Sequence, residues 1–184
     1  MKIYSFQHKE VLKEIINNGV YKCEYVSEFR NQAPNLYKLL QEALYSKTGI
    51  DSFPIFGWSS IEGVNENSSI NDVIMNTYYK IALDYENYVL LELEIPDKYV
   101  LEHDFFSFSG FKLDEEEELE TEYDVKKFIY DATPTDYNIQ ASFPIIYSKW
   151  LKNAYSYKFK YADDIKFKLS EIIVNKINTN IGEC

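Results

Sequence analysis

The stretch V-L-L-E-L-E-I-P-D, residues 89–97, carries the plainest structural signal in the chain. Val89, Leu91, Leu93 and Ile95 alternate with Glu92 and Glu94, which is the two-residue period of a strand. Pro96 and Asp97 end it. Upstream, residues 71–83 show a helical tendency through Val73, Ile74 and Ile81, and residues 62–71 are polar and loop-like. F-P-I-F-G-W, residues 53–58, reads as an aromatic strand with Pro54 near its start. Residues 34–49 form a helix with the stripe Leu36, Leu39, Leu40, Ala43 and Leu44, closed by Gly49. Val11, Leu12, Ile15 and Ile16 share a face of an earlier helix that stops at Gly19, and Lys2 to Gln7 alternate as a strand before it.

Downstream, residues 97–105 suggest a short helical turn, and residues 125–130 a short helix. Residues 139–147 and 155–161 read as strands. In the second, Tyr155, Tyr157, Phe159 and Tyr161 share a face, with Lys158 and Lys160 opposite. Asp163 is placed to cap a last helix carrying Ile165, Leu169, Ile172, Ile173 and Ile177. Strands and helices intermix without βαβ alternation, repeats or a Pro/Gly/Ser linker. The expected class is therefore α+β, a single domain over residues 1–184 with helices packed on a mixed, mostly antiparallel sheet. Residues 179–184 are expected to fray.

Composition narrows the function classes. The chain has 184 residues, enough to bury a real core, and 46% of them are hydrophobic, which argues against disorder. Its 17 Tyr and 12 Phe against 6 Gly favour sheets and leave little scope for a glycine-rich phosphate loop. A net charge of −11 opposes the gripping of nucleic-acid backbones. Part of that charge is one run, Asp114 to Glu118 with Glu120 and Glu122, which reads as a solvated loop or helix face. Two cysteines, Cys23 and Cys184, form neither a disulfide framework nor a C-x-x-C metal motif. With no signal peptide and no membrane-length apolar window, a reducing cytoplasm is the expected setting and no metal is expected.

No G-x-S-x-G elbow and no H-E-x-x-H is present. His8 stands where the first strand meets the first helix, as a helix-start residue or as a ligand contact beside the helix dipole. His103, between Glu102 and Asp104, reads as a surface pair. Cys23 reads as a small core or near-surface residue. F-P-I-F-G-W reads first as core. Gly57 between two rings would also let a ligand approach the backbone, and Trp58 or Trp150 could serve as a flat platform.

Several blocks, in order over residues 3–150, resemble the uncharacterised bacterial family called domain of unknown function 3841. The opening Y-S-F-Q-H, its helix and G-V-Y-K-C resemble that family's start. F-P-I-F-G-W is similar to its Y-P-I-W-A-W, and Leu93-Glu94-Ile95-Pro96, Val100-Leu101 and Asp104-Phe105 to its L-E-I-P, V-L-L and S-D-F. Phe128 to Asp131 is similar to its I-F-D box, and Ile139 to Phe143 to its I-Q-A-T-F. The chain departs from the pattern at His8, at Pro144 and over residues 59–85. More distantly, the order of elements resembles the ADP-ribosyltransferase toxins. That resemblance implies an NAD or nucleotide ligand, with Gln7 or His8 on the ribose, Phe56 or Trp58 on the nicotinamide, and Gln140 and Ser142 on the floor. Ser142 stands where the transferases carry their catalytic Glu, and a hydroxyl cannot stabilise an oxocarbenium-like centre as a carboxylate does. Glu92, Glu94 and Glu120 are the other acids within the scheme.

Two functional expectations follow. One is a nucleotide- or NAD-binding domain of ADP-ribosyltransferase-like fold, either active through another acid or with the transferase chemistry lost. The other is a non-enzymatic acidic module engaging a protein partner, for which Tyr-rich surface and negative charge are suited. A regulator of a nucleic-acid enzyme ranks third, on the acidic run alone.

Overall fold

A computed structural model describes residues 1–24, 34–81, 87–104, 138–161 and 169–179. The acidic run, the expected helix at 125–130, the 128–131 box, Asp163, Ile165 and residues 180–184 lie outside the described residues.

The chain is α+β. β1 (Lys2–His8) leads into α1 (Lys9–Asn18) and the short β2 (Val20–Lys22). α2 (Pro34–Thr48), β3 (Ile55–Ser60), α3 (Ile70–Ile81) and β4 (Tyr88–Glu94) follow. One 3-10 turn, Asp97–Tyr99, precedes β5 (Leu101–Asp104). β6 (Ile139–Phe143), β7 (Ile145–Tyr147), β8 (Leu151–Tyr161) and β9 (Leu169–Ile177) complete it. Among the described residues seven strands form one sheet in the order β5-β6-β3-β1-β4-β8-β9, and every neighbouring pair is antiparallel. β2 and β7 make a separate two-stranded sheet, also antiparallel.

The large sheet is covered on both faces. Ile3, Val89, Leu91, Leu93, Phe143 and Ala154 point to one face, where Val11, Leu12 and Ile15 of α1 and Ile145 and Ile146 of the small sheet pack on them. Trp58, Leu90, Tyr157, Phe159 and Ile172 point to the other, under Val73 and Ile74 of α3. This explains why β4 reads as almost continuously apolar: Leu90 faces one core while Val89 and Leu91 face the other.

Three expectations need correction. Residues 169–177 are a strand, not a helix. Ile172, Ile173, Val174 and Ile177 fit either period, and pairing along β8 decides for the β-branched residues. The segment after Asp97 is a single 3-10 turn and then a strand. Residues 139–147 form two strands in different sheets, because Pro144 has no N–H to continue the ladder. The helical tendency near residue 71 is a true helix. Its start is fixed by Ser69 and Asp72, whose side chains bond each other's backbone N–H at 2.7 and 3.3 Å.

Candidate functional site

Antiparallel register sets opposed residues on the same face, and here it assembles a row across six strands. His103 lies opposite Gln140, Gln140 opposite Trp58, Trp58 opposite Tyr4, Tyr4 opposite Glu92, and Glu92 opposite Asn153. In the next row Leu101, Ser142 and Phe56 are opposed. Four of the sequence candidates, Phe56, Trp58, Gln140 and Ser142, are thus gathered on one face beside His103.

The chemistry at the β5 end of this row is a hydroxyl–imidazole pair. His103 Nε2 lies 2.8 Å from Ser142 Oγ, and the two residues are 2% and 0% exposed. The Phe56 ring lies nearly perpendicular to the His103 ring and to that of Tyr37 of α2. A hydroxyl so near an imidazole has the geometry of a nucleophile and its base, yet both groups are sealed from solvent. Their evident work is mutual hydrogen bonding inside the sheet. Reading L-E-H-D as a strand would have placed His103 on this face. Reading its acidic neighbours as partners sent it to the surface, and Glu102 in fact lies on the opposite side of β5.

Trp58 is 3% exposed and belongs to the core under α3, so its ring is not a platform at a pocket mouth. Trp150 likewise packs in the other core, against Tyr99 and Tyr147. Gly57 does permit a close approach, but by Ile3. A Cβ there would sit 2.4 Å from the Ile3 Cγ2 methyl and 3.1 Å from the Tyr4 carbonyl. The remaining two candidates are elsewhere. Gln7 lies opposite Val89, on the α1 face, and its amide donates to Ser5 Oγ at 2.8 Å. Ser5 in turn donates to the Phe56 carbonyl at 2.6 Å, so this pair ties β1 to β3. His8 is exposed and caps α1, its Nδ1 accepting from the Glu10 N–H at 3.4 Å.

The β8 end of the row holds a carboxylate. Glu92 accepts from Asn153 Nδ2 at 2.7 Å and from the Tyr155 hydroxyl at 3.2 Å, and pairs with Lys2 Nζ at 2.9 Å. Burial works to raise the Glu92 carboxyl. Bonds from Lys2, Asn153 and Tyr155 and the Lys2 charge outweigh it and hold the group below its ordinary value. Lys2 is raised, chiefly by its bond to Glu92 and then by Tyr4, over whose ring its ammonium sits at 4.8 Å. Burial raises the Tyr155 hydroxyl, and the Glu92 charge adds to it. Through these contacts Glu92 acts as a clamp on three strands.

A different kind of surface lies on α2. Lys38, Gln41, Glu42 and Tyr45 recur along one side of the helix and, with Asp51, line a shallow groove of about 410 Å³. Gln41 donates to Asp51 at 3.1 Å, and Lys38 pairs with Glu42 at 3.9 Å. Tyr45 is 55% exposed, the one large hydrophobic side chain in the open among the described residues. Sequence reading assigned this stripe's opposite side, Leu39, Leu40, Ala43 and Leu44, to the core and passed over Tyr45.

Among the described residues no three His, Cys, Asp or Glu side chains gather to hold a metal, and no helix is long and apolar enough to cross a membrane. No family model, curated protein or solved structure matches the chain.

Proposed function

We propose that the chain is a non-enzymatic acidic module that binds a cationic protein through the outer side of α2. The observation that carries this is Tyr45, exposed in a groove whose charged neighbours are already paired with each other or with Gln41. An amphipathic ring held between satisfied polar groups is suited to an interface, since covering it removes apolar area while leaving few polar groups to desolvate. The −11 charge speeds encounter with a basic partner and makes that encounter salt-sensitive. A photo-crosslinking residue at position 45 is expected to link a discrete basic partner, less efficiently as salt rises. The same residue at position 13, on exposed Lys13 of α1, is expected not to. Equal capture at both positions would overturn the reading.

A second reading, nucleotide or NAD binding on an ADP-ribosyltransferase-like fold, is favoured by one feature. Gln140 Oε1 is buried and accepts no hydrogen bond from any described residue, next to His103 and Ser142. A buried acceptor left unmet is costly, and a ligand donor such as an amide or ribose hydroxyl would relieve it. NAD, ADP-ribose and nicotinamide should then raise the melting temperature of the unsubstituted chain but not of Gln140→Ala. Trp58→Ala is no control for binding, because emptying that core position costs about 3–5 kcal/mol by itself. A flat response at millimolar ligand would end this reading.

A further inference from the structure

β9 is the last strand of the large sheet, and among the described residues only β8 pairs with it. The other edge strand, β5, has four residues, whereas β9 has nine. A long edge offers a row of main-chain N–H and C=O groups that another strand can take up, and charges along such an edge ordinarily discourage this. β9 carries two, Glu171 and Lys176, and leaves the apolar run Ile172 to Val174 between polar residues.

The ladder to β8 slips between Glu171 and Leu169, and from Glu171 onward polarity is mirrored about Ile173: Glu171 with Asn175 and Ile172 with Val174. A two-fold axis perpendicular to the sheet would join two copies of this edge antiparallel, each sheet face running on into the other copy. Continuity of the faces requires each residue to meet one of the same parity, so the axis must pass through a residue. Through Ile173, apolar residues meet apolar ones and polar residues polar ones over residues 171–175, with no like charges opposed. Moving the axis to Val174 sets Ile172 against Lys176 and Ile173 against Asn175. Moving it to Ile172 sets Glu171 against Ile173. Of these three registers, only the one through Ile173 is self-complementary.

The surroundings agree with it. Ile173 and Val174 are half-buried at the edge, while Glu171, Asn175 and Lys176 are exposed. Glu171 is paired with Lys160 of its own β8 at 2.8 Å and would keep that pair. Ile172 already seals the core under α3, so Ile172 and Val174 opposed across the axis would extend that apolar surface from one copy into the next.

We propose that β9 pairs with β9 of a second copy about a two-fold axis at Ile173, making the large sheet continuous through a dimer. Opposed positions in antiparallel strands have Cα atoms about 4.5–5.5 Å apart, within disulfide range. In the full chain carrying Cys23→Ser and Cys184→Ser, Ile173→Cys is expected to form a disulfide-linked dimer under mild oxidation. Asn175→Cys, more exposed than Ile173, would face Glu171 of the second copy and lie about 14 Å from its own counterpart at the strand rise per residue, so it should stay monomeric. Light scattering on the unsubstituted chain should give twice 21.7 kDa at high micromolar concentration, and Ile173→Lys should return that mass to the monomer. Equal cross-linking at 173 and 175 would overturn the proposal. So would a monomer mass for the unsubstituted chain across the concentration range, whether or not the variants fold.

Discussion

On the row that crosses six strands, Glu92 accepts hydrogen bonds from Lys2, Asn153 and Tyr155, and so joins β1, β4 and β8 through one carboxylate. Its folded pKa lies below its unfolded one, which fixes the sign of its effect on stability. The contribution is complete above the ordinary glutamate value of about 4.3 and is lost as pH falls through the depressed folded value. Lys2, raised in the folded state, contributes below its unfolded pKa and loses that contribution only on the alkaline side. Urea midpoints between pH 7 and pH 3 should therefore fall more steeply for the unsubstituted chain than for Glu92→Gln. Coincident acid limbs would show that the clamp contributes nothing. Little of this was legible in the sequence. V-L-L-E-L-E-I shows that Glu92 departs from the apolar series of β4, but its partners come from residues 2, 153 and 155, which only strand order brings near.

The elements were more legible than the pairs within them. α1 and α2 end at Gly19 and Gly49, both at positive φ, and Val11, Leu12 and Ile15 of the one and Leu39, Leu40, Ala43 and Leu44 of the other lie inward as the spacing predicts. α3 was ambiguous from periodicity, yet Ser69 and Asp72 form a box that names its first turn. Asp72 is held below its ordinary value by the Ser69 hydroxyl and N–H, at the positive end of the helix. Ser69→Ala should destabilise the fold by about 1 kcal/mol, measured as a shifted urea midpoint at unchanged slope. A changed slope would mean that α3 detaches and not merely that it frays. β9 was misread because Leu169, Ile172, Ile173 and Ile177 satisfy a helical stripe as well as a strand. Its eight registered partners on β8 are tertiary information.

At the scale of the molecule, among the described residues, the large sheet carries a core on each face, α1 with the small sheet on one and α3 on the other. β1 and β4 are central in the strand order and have strands on both sides. Their amides should exchange only through global unfolding, the slowest class in a hydrogen-exchange experiment. The amides of β5 that point away from β6 should exchange well before them. On β9 the same measurement separates two states: outward amides exchange quickly in a monomer and slowly when a second copy occupies the edge. Exchange from β1 and β4 as fast as from β5 would contradict a sheet with a core on each face. The six residues singled out for a ligand divide at this scale too. Four share a face with His103, Gln7 faces α1 from the other side, and His8 caps a helix.

The sequence by itself determined the class, the positions of most strands and helices, and the exclusion of familiar catalytic motifs. Those follow from local periodicity, turn residues and composition, each of which acts over a few neighbours along the chain. Only the tertiary structure decided that Trp58 is core, that Gly57 makes room for Ile3, that His103 is buried on Ser142, and that β9 pairs, among the described residues, with β8 alone. Each of these depends on which strand lies beside which. That order is set by burial of side chains distant in sequence, a term that no local window contains.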